Sequence, residues 1–457
     1  MTCNCWEVPF DMSEWRGKRL GIRLYGSSHG ACVGVKMTGF PAGFPVDETA
    51  LRRFLARRAP GRGGVSTGRQ ESDAPVILSG LDERSVTDGG LIRAEMENRH
   101  ARPADYEAFR DIPRPGHADY TAWIKYGDKR ESGGGQFSGR MTAPMCFAGG
   151  LCMQWLKAKG VTVFAHLLSV GGEEDERLDA LHPAFRDFAP GEFPTLNEAA
   201  GERMEKAILT AKAQGDSVGG VIECAVTGLP AGLGGALFDG LEGKMASLLF
   251  AVPGVKGVDF GAGFDSARMR GSENNDAFHM EDGRITTRTN HAGGILGGIS
   301  VGTPLLFRVA MKPTPSIARP QTTLNIGNGQ EETLSVTGRH DACIAVRAVP
   351  VIEAAAALIL CDEMLEETKM DELERLRREI SEVDAEIVPL LLKRMEIAGR
   401  IGAYKRERGL PVLDEKRGQK VLERVTVQAG AEMGDYLREI YRRIMEMSCL
   451  YQAGKRP

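Results

Sequence analysis

No two cysteines in this 457-residue chain have the C-x-x-C spacing of a structural metal site or a thiol–disulfide centre, although there are nine of them. They stand at Cys3, Cys5, Cys32, Cys146, Cys152, Cys224, Cys343, Cys361 and Cys449 and form no framework. With no signal peptide and no long apolar span, this usage predicts a reduced, cytoplasmic protein that no membrane holds. Cys3 and Cys5 lack further ligands, and no histidine has metal-site spacing, so no metal is expected. There is no GxxxxGK[ST], which argues against a P-loop nucleotidase. Nor is there a positive excess: 58 Lys+Arg stand against 62 Asp+Glu, net −4, which does not suit nucleic acid as a main partner. Internal repeats and low-complexity segments are also missing.

The length suits two or three domains. Residues 1–11 read as an extension before a first strand pattern, Lys18–Leu24. Gly-rich turns then alternate with short strands (Gly219–Thr227, Leu305–Met311) and Ala-rich helices (Met141–Ala158, Val351–Met364). The 57 glycines cluster at Gly133–Gly135, Gly261–Gly263 and through Gly293, Gly294, Gly297, Gly298 and Gly302. Clusters of this kind allow close backbone approach and are expected to form binding loops. A charged stretch, Cys361–Arg378, joins this first part (12–364) through a linker at 365–370 to a second part, 371–457.

Six arginines (Arg52, Arg53, Arg57, Arg58, Arg62, Arg69) lie in a stretch without acid. Pro60-Gly61 ends the helix just after Arg57 and Arg58, and a glycine-rich loop follows. Guanidinium groups beside free backbone N–H suit phosphate or carboxylate; a solvated basic face is the plainer alternative. His29, His117 and His340 sit beside Ser, Arg or Asp in loop-like sequence, which points to proton transfer near an anion. Lys312-Pro-Thr-Pro-Ser-Ile317 adds a lysine and two hydroxyls on a Pro-stiffened loop.

In the second part, apolar residues at Leu373, Leu376, Ile380, Val383, Ile387, Leu390, Ile397, Ile401 and Tyr404 alternate steps of three and four. That is the pattern of a long helix packed on other helices, and its seam is too long to bury within one small domain. A partner chain is therefore expected. The position that should continue the seam is Arg394, which either meets a buried carboxylate or awaits an anionic ligand.

Several motifs in order resemble the chorismate synthase family from Met12 to about Met364. They include Gly26-Ser-Ser-His-Gly30, Arg57-Arg-Ala-Pro-Gly61, Arg114-Pro-Gly-His-Ala-Asp119, Gly215-Asp-Ser-Val-Gly-Gly220 and Val255-Lys-Gly-Val258. Asn290-His-Ala-Gly-Gly-Ile-Leu-Gly-Gly-Ile-Ser300, Lys312–Ile317 and Arg339-His-Asp-Ala-Cys343 are the most specific. The resemblance implies an α+β fold, a β-α-β sandwich, and conversion of 5-enolpyruvylshikimate 3-phosphate to chorismate with loss of phosphate. It also implies reduced FMN, recharged by an external reductant since no flavin-reductase domain is evident. By the same resemblance His29 would protonate the departing phosphate and His117 the reduced flavin. Asp341 with Ser28 would assist proton removal at the flavin N5. Arg58, Arg114, Arg140 and Arg339 would hold the anions. Ser138, Gly297, Lys312, Pro313, Thr314, Pro315, Ser316 and Arg339 would line the FMN site. The chain departs from the family at Ser27 (usually Glu), at Gln136-Phe137 and Met141 (usually an Arg-Ser-Ser-Ala-Arg-Glu run), at Gly64 (an expected arginine) and at Ala342 (usually Pro).

Asp371–Pro457 resembles the small all-helical chorismate mutases, through Leu376-Arg-Arg-Glu-Ile380, Arg394, Tyr404-Lys405, Gly409–Asp414, Arg417 and Ser448–Gln452. This implies three helices (about Asp371–Glu407, Glu415–Gln428, Met433–Tyr451) in an intertwined dimer. Chorismate would rearrange to prephenate without a cofactor. The resemblance assigns Arg394 and the partner subunit's Arg377 to the carboxylates, Lys405 and Gln452 to the ether oxygen, and Asp414 and Arg417 to completing the site. A homotetramer pairing these domains two by two would suit both families. Many relatives carry glutamate where this chain has Gly418, and Pro389 predicts a kink in the long helix. The alternative is a mutase-like domain acting as a regulatory sensor or a dimerisation module.

Overall fold

The computed structural model describes residues 13–60, 65–66, 71–99, 110–127, 132–281, 283–336 and 340–454, in two compact units, Met1–Glu367 and Thr368–Pro457. In the first unit β1 (Ser13–Arg16), β2 (Gly21–Gly26), β3 (Cys32–Thr38), β4 (Val76–Ser79) and β5 (Ile92–Glu97) form an antiparallel sheet of order β1-β2-β3-β5-β4. Then come β6 (Thr162–Val170), β7 (Glu173–Glu174), β8 (Gly220–Thr227) and β9 (Val255–Phe260). The hairpins β10 (Phe278–Glu281) with β11 (Arg284–Thr287) and β12 (Ile295–Leu296) with β13 (Ile299–Ser300) precede β14 (Leu305–Met311). A last hairpin pairs β15 (Gln321–Leu324) with β16 (Glu331–Leu334). The second sheet, also antiparallel, has the order β7-β6-β8-β14-β9.

Helices α1 (Glu48–Arg58), α2 (Asp119–Tyr126), α3 (Thr142–Ala158), α4 (Glu198–Ala213), α5 (Leu241–Phe250), α6 (Gly271–Asn274), α7 (Ala345–Glu407) and α8 (Glu415–Gln452) complete the chain. Every residue of α3 from Thr142 to Cys152 is buried. A helix apolar all round has to be covered on all sides. α3 packs on β3 and β5 of one sheet and on β6 of the other, and the buried start of α7 lies beside it in the same core. This is the β-α-β sandwich. The two helices meet at Gly149, where a Cβ would come within 2.4 Å of the Ala354 Cβ.

The strand expected at Lys18–Leu24 is observed at Gly21–Gly26, whereas Leu305–Met311 matches its expected bounds. Residues 365–370, expected as a linker, are helical within α7. No glycine or proline interrupts the sequence between Pro350 and Pro389, so nothing local ends the helix there.

In the second unit, residues 368–407 of α7 are helical through Pro389. The helix ends at Gly409, whose φ of 63° suits a left-handed C-terminal cap, and Leu410 N–H donates to the Lys405 carbonyl at 2.9 Å. Asp414 caps α8 by accepting from Arg417 N–H at 3.0 Å. Gly430 (φ 76°, ψ 179°) breaks α8 into the two expected segments. Gly399 and Gly402, which weaken a helix intrinsically, admit the C-terminal segment here. A Cβ on Gly399 would lie 3.0 Å from Tyr451, and one on Gly402 would lie 2.9 Å from the Gln452 Cα.

Candidate active site

In the first unit a cleft of about 610 Å3 gathers residues from widely separated places in the sequence. The turn between β2 and β3 brings Ser28 and His29. Ser27 closes that turn, its hydroxyl accepting from Gly30 N–H at 3.2 Å, while Asn98 donates to its carbonyl at 2.9 Å. Arg58 comes from the last turn of α1, whose first turn is capped by Asp47. Ser138 and Arg140 come from the turns before α3, where the Ser138 hydroxyl accepts from Arg140 N–H at 3.2 Å. Arg114 and His117 precede α2, Lys312–Ser316 follow β14, and Asp341 precedes α7.

Arg58 and Arg140 share one buried carboxylate. Arg58 Nε donates to Asp73 Oδ2 at 2.8 Å, and Arg140 Nη1 pairs with Asp73 Oδ1. Asp73 has a φ of 50°, a left-handed conformation that Asp tolerates better than most residues but at a cost of about 1–3 kcal/mol. Burial would raise its carboxyl pKa, but Arg58, Arg140 and Arg347 outweigh that and hold it below the usual carboxylate range. Asp73 thus stays charged, and the two arginines keep one net positive charge. Arg58 Nη1 also donates to Gly139 O at 3.2 Å and Thr142 Oγ1 at 3.1 Å, while its Nη2 is buried without a partner.

Asp119 plays the same part for Arg114. It accepts from Arg114 Nε at 2.7 Å and Nη2 at 2.8 Å, and lies 2.7 Å from His117 Nδ1. Arg114 Nη1 donates onward to Ser316 Oγ at 2.9 Å. Burial would raise the Asp119 carboxyl; hydrogen bonds from Arg114 and His117 overcome it and hold it well below the usual range. The Lys312 ammonium reaches the Gly116 carbonyl, and its pKa is lowered by burial and by Lys256 nearby. Asp341 accepts from Arg347 Nη1 at 2.5 Å and from Ser66 Oγ at 3.3 Å. His340 is pushed down to about 4 by burial and by Arg114, so it is neutral near pH 7. Among the described residues around the cleft, Arg58, Arg114, Arg140, Arg347, Lys256 and Lys312 outnumber Glu71, Asp73, Asp119 and Asp341 by two. Such a cleft suits a ligand with several negative charges.

In the second unit Arg394 Nη1 donates to the hydroxyl of Ser448, and Lys405 Nζ donates to Val412 O at 2.7 Å. Gln452 is buried with its Oε1 unpartnered, and Arg406 donates to its main-chain carbonyl at 2.6 Å. Arg377, Asp414 and Arg417 are exposed. Arg377 precedes Arg394 by 17 residues of helix, roughly 25 Å, so the two cannot grip one small ligand within a single chain.

Residues 20–365 match the chorismate synthase family model, and residues 376–453 match chorismate mutase type II. Chorismate synthase of Lancefieldella parvula is 41% identical over 367 residues, covering 77% of this chain and 96% of that protein. That of Thermococcus kodakarensis is 43% identical over 352 residues, covering 77% and 97%. The chain belongs to the chorismate synthase family. A crystal structure of chorismate synthase superposes with a TM-score of 0.59 at 25% identity, covering 77% of this chain and 93% of that one. The chain is thus an enzyme with a chorismate synthase domain followed by a chorismate mutase type II domain.

Within the synthase domain, Ser28, His29, Arg58, Arg114, His117, Ser138, Arg140, Lys312, Pro313, Thr314, Pro315, Ser316 and Asp341 all line the cleft. Gly297 does not: it turns the β12–β13 hairpin with a φ of 63°. Its glycine neighbours are held by close backbone packing, since a Cβ on Gly294 would meet Pro304 O at 2.5 Å and one on Gly298 would meet Gly235 O at 2.3 Å. Arg339, Arg62, Gly64, Arg69, Cys3, Cys5 and the extension 1–11 lie outside the described residues. Of the described members of the arginine cluster only Arg58 lines the cleft; Arg57 is held by Glu353 at 2.8 and 3.0 Å, and Arg53 pairs with Asp187 at 2.9 Å. Sequence reasoning did not single out Asp73, Glu71, Lys256 or Arg347 as site residues; Lys256 stood within the Val255–Val258 motif, and the other three have no local pattern that marks them. Asp119, two residues after His117, was open to that inference from spacing. Among the described residues no cluster of His, Cys, Asp or Glu could hold a metal, and no helix is long and apolar enough to cross a membrane.

Proposed function

We propose that the chain is bifunctional, making chorismate from 5-enolpyruvylshikimate 3-phosphate in the synthase domain and converting it to prephenate in the mutase domain. The observation that carries the first reaction is the cleft itself, where six cations surround three histidines, His29, His117 and His340. A substrate with a phosphate and two carboxylates needs such charge, and a departing phosphate needs an acid. His29 would supply that proton, and Asp341 with Ser28 would assist removal of the ring proton. Arg58 and Arg140 would hold anionic groups, Arg58 through its unpartnered Nη2.

Reduced FMN fits the same cleft. The buried Thr314 Oγ1 has no partner and stands in the loop that the family gives to the cofactor, beside Lys312, Ser316 and Ser138. When bound, the flavin lends electron density that helps phosphate leave. His117 would provide a proton to it, and an external reductant would keep it reduced.

For the mutase, a pericyclic rearrangement needs only a held conformer and stabilised charge on the ether oxygen. Arg394, Lys405 and the open Oε1 side of Gln452 supply those groups. The exposed apolar seam supports an intertwined dimer in which the partner's long helix contributes its arginine, and pairing of such dimers supports a tetramer. In an assay of chorismate disappearance without FMN, the full-length protein is expected to form prephenate. Arg394→Ala should lower that rate by on the order of 100-fold or more and leave synthase activity in place. Absence of turnover in the unsubstituted protein, with chorismate still bound, would replace the enzyme reading by the sensor reading, which Gly418 favours.

A further inference from the structure

His117 Nδ1 has two polar neighbours, Asp119 Oδ1 at 2.7 Å and Arg114 Nη2 at 3.1 Å. One nitrogen cannot both donate to the carboxylate and accept from the guanidinium. The shorter contact is to the carboxylate, and Arg114 Nη2 already has Asp119 Oδ1 as an acceptor at 2.8 Å. The proton therefore belongs on Nδ1, shared with Asp119. The opposite edge of the ring, Cε1 and Nε2, lies beside Gly134, where a Cβ would come within 3.2 Å of Cε1 and 3.3 Å of Nε2. Gly134, with a φ of 106°, is what lets the 132–137 turn pass so close to that edge.

Asp119 is itself fixed. Arg114 contributes its backbone N–H at 3.1 Å as well as two side-chain hydrogen bonds, and Ser316 anchors the other end of the guanidinium. Among the described residues, further charged and titratable groups near this set are Lys312, whose ammonium reaches the Gly116 carbonyl, and His340 with Asp341 from the segment before α7.

We propose that Asp119 is a positioning residue, whose carboxylate holds the Nδ1 proton of His117 so that Nε2 is the nitrogen exchanging protons with the cofactor in the cleft. This rests on the reading of His117 as that proton donor. The carboxylate selects the tautomer, and the Arg114–Ser316 chain keeps it from turning toward the ligand instead.

The tautomer can be read without cofactor, by 15N NMR of the full-length protein labelled at histidine, with the His117 signal assigned from His117→Gln. The unsubstituted protein is expected to carry the proton of neutral His117 on Nδ1; Asp119→Ala should shift it toward Nε2, while Asp119→Glu restores Nδ1. In synthase turnover Asp119→Ala should lower kcat on the order of 10- to 100-fold with little change in KM for the phosphate substrate. Made in a His117→Ala background, it should cause no further loss. A neutral ring protonated on Nε2 in the unsubstituted protein, or a tautomer that Asp119→Ala leaves unchanged, would overturn the proposal. Full synthase activity in His117→Ala would instead remove the reading of His117 while leaving the NMR result to decide what Asp119 does.

Discussion

The arginines of the synthase cleft work in sets, each paired with a carboxylate. Asp73 holds Arg58 and Arg140, Asp119 holds Arg114 and His117, and Arg347 holds Asp341. A buried guanidinium aimed by a fixed carboxylate does not have to be reorganised when an anion arrives, which lowers the cost of binding. His340 has no such carboxylate support strong enough to keep it charged; burial and Arg114 bring it down to about 4. The sign of its effect on stability follows. In the unfolded chain histidine takes a proton below about pH 6.5, whereas the folded protein resists doing so until about pH 4. Its contribution is therefore present above pH 6.5 and is lost progressively as pH falls through that window, up to about 3 kcal/mol. Denaturant unfolding at pH 7 and pH 4.5 should show that His340→Gln loses less stability on acidification than the unsubstituted protein.

Among the helices, α3 and the start of α7 depend on a backbone-to-backbone approach that one glycine permits. Gly149 faces Ala354, with the Ala354 Cα 2.6 Å and its carbonyl oxygen 2.7 Å from where a Cβ would stand. Neither is the tip of a flexible side chain, so relief requires moving a helix within a close-packed layer. Gly149→Ala should destabilise the synthase domain by about 1–3 kcal/mol despite alanine's better helix propensity, measured as a lower denaturation midpoint. The same substitution at Gly43, where nothing lies within 4 Å of the added Cβ, carries only the cost of its positive φ and serves as a comparison.

At the scale of the whole molecule, an uncovered apolar seam runs along the mutase unit, where Ile380, Val383, Ile387, Leu390, Ile397 and Ile401 are all exposed within one chain. Apolar residues at heptad spacing gain most of their stabilisation from a second helix, so association is expected to cover them. Leu390 alone is 66% exposed. Leu390→Lys should shift sedimentation velocity profiles toward smaller species and, in the proposed dimer, lower mutase turnover with it, because the partner's Arg377 would leave with the partner. A mass unchanged by Leu390→Lys together with Ile397→Lys would show that the seam is not the interface.

The periodicity of the mutase helices, the ends of β14 and the polar loops carrying His29, His117 and Lys312 were legible in the sequence, because period, capping and turn chemistry are local properties. The shared motifs likewise brought most of the cleft residues into view. Tertiary structure decided the rest. It made Gly294, Gly298, Gly399 and Gly402 points of close contact, since only packing shows what would meet a Cβ. It paired Arg58 with Asp73 and Asp341 with Arg347, and it left Gly297 away from the cleft. Sequence can supply a charge, but the direction in which that charge points depends on a carboxylate brought beside it by folding.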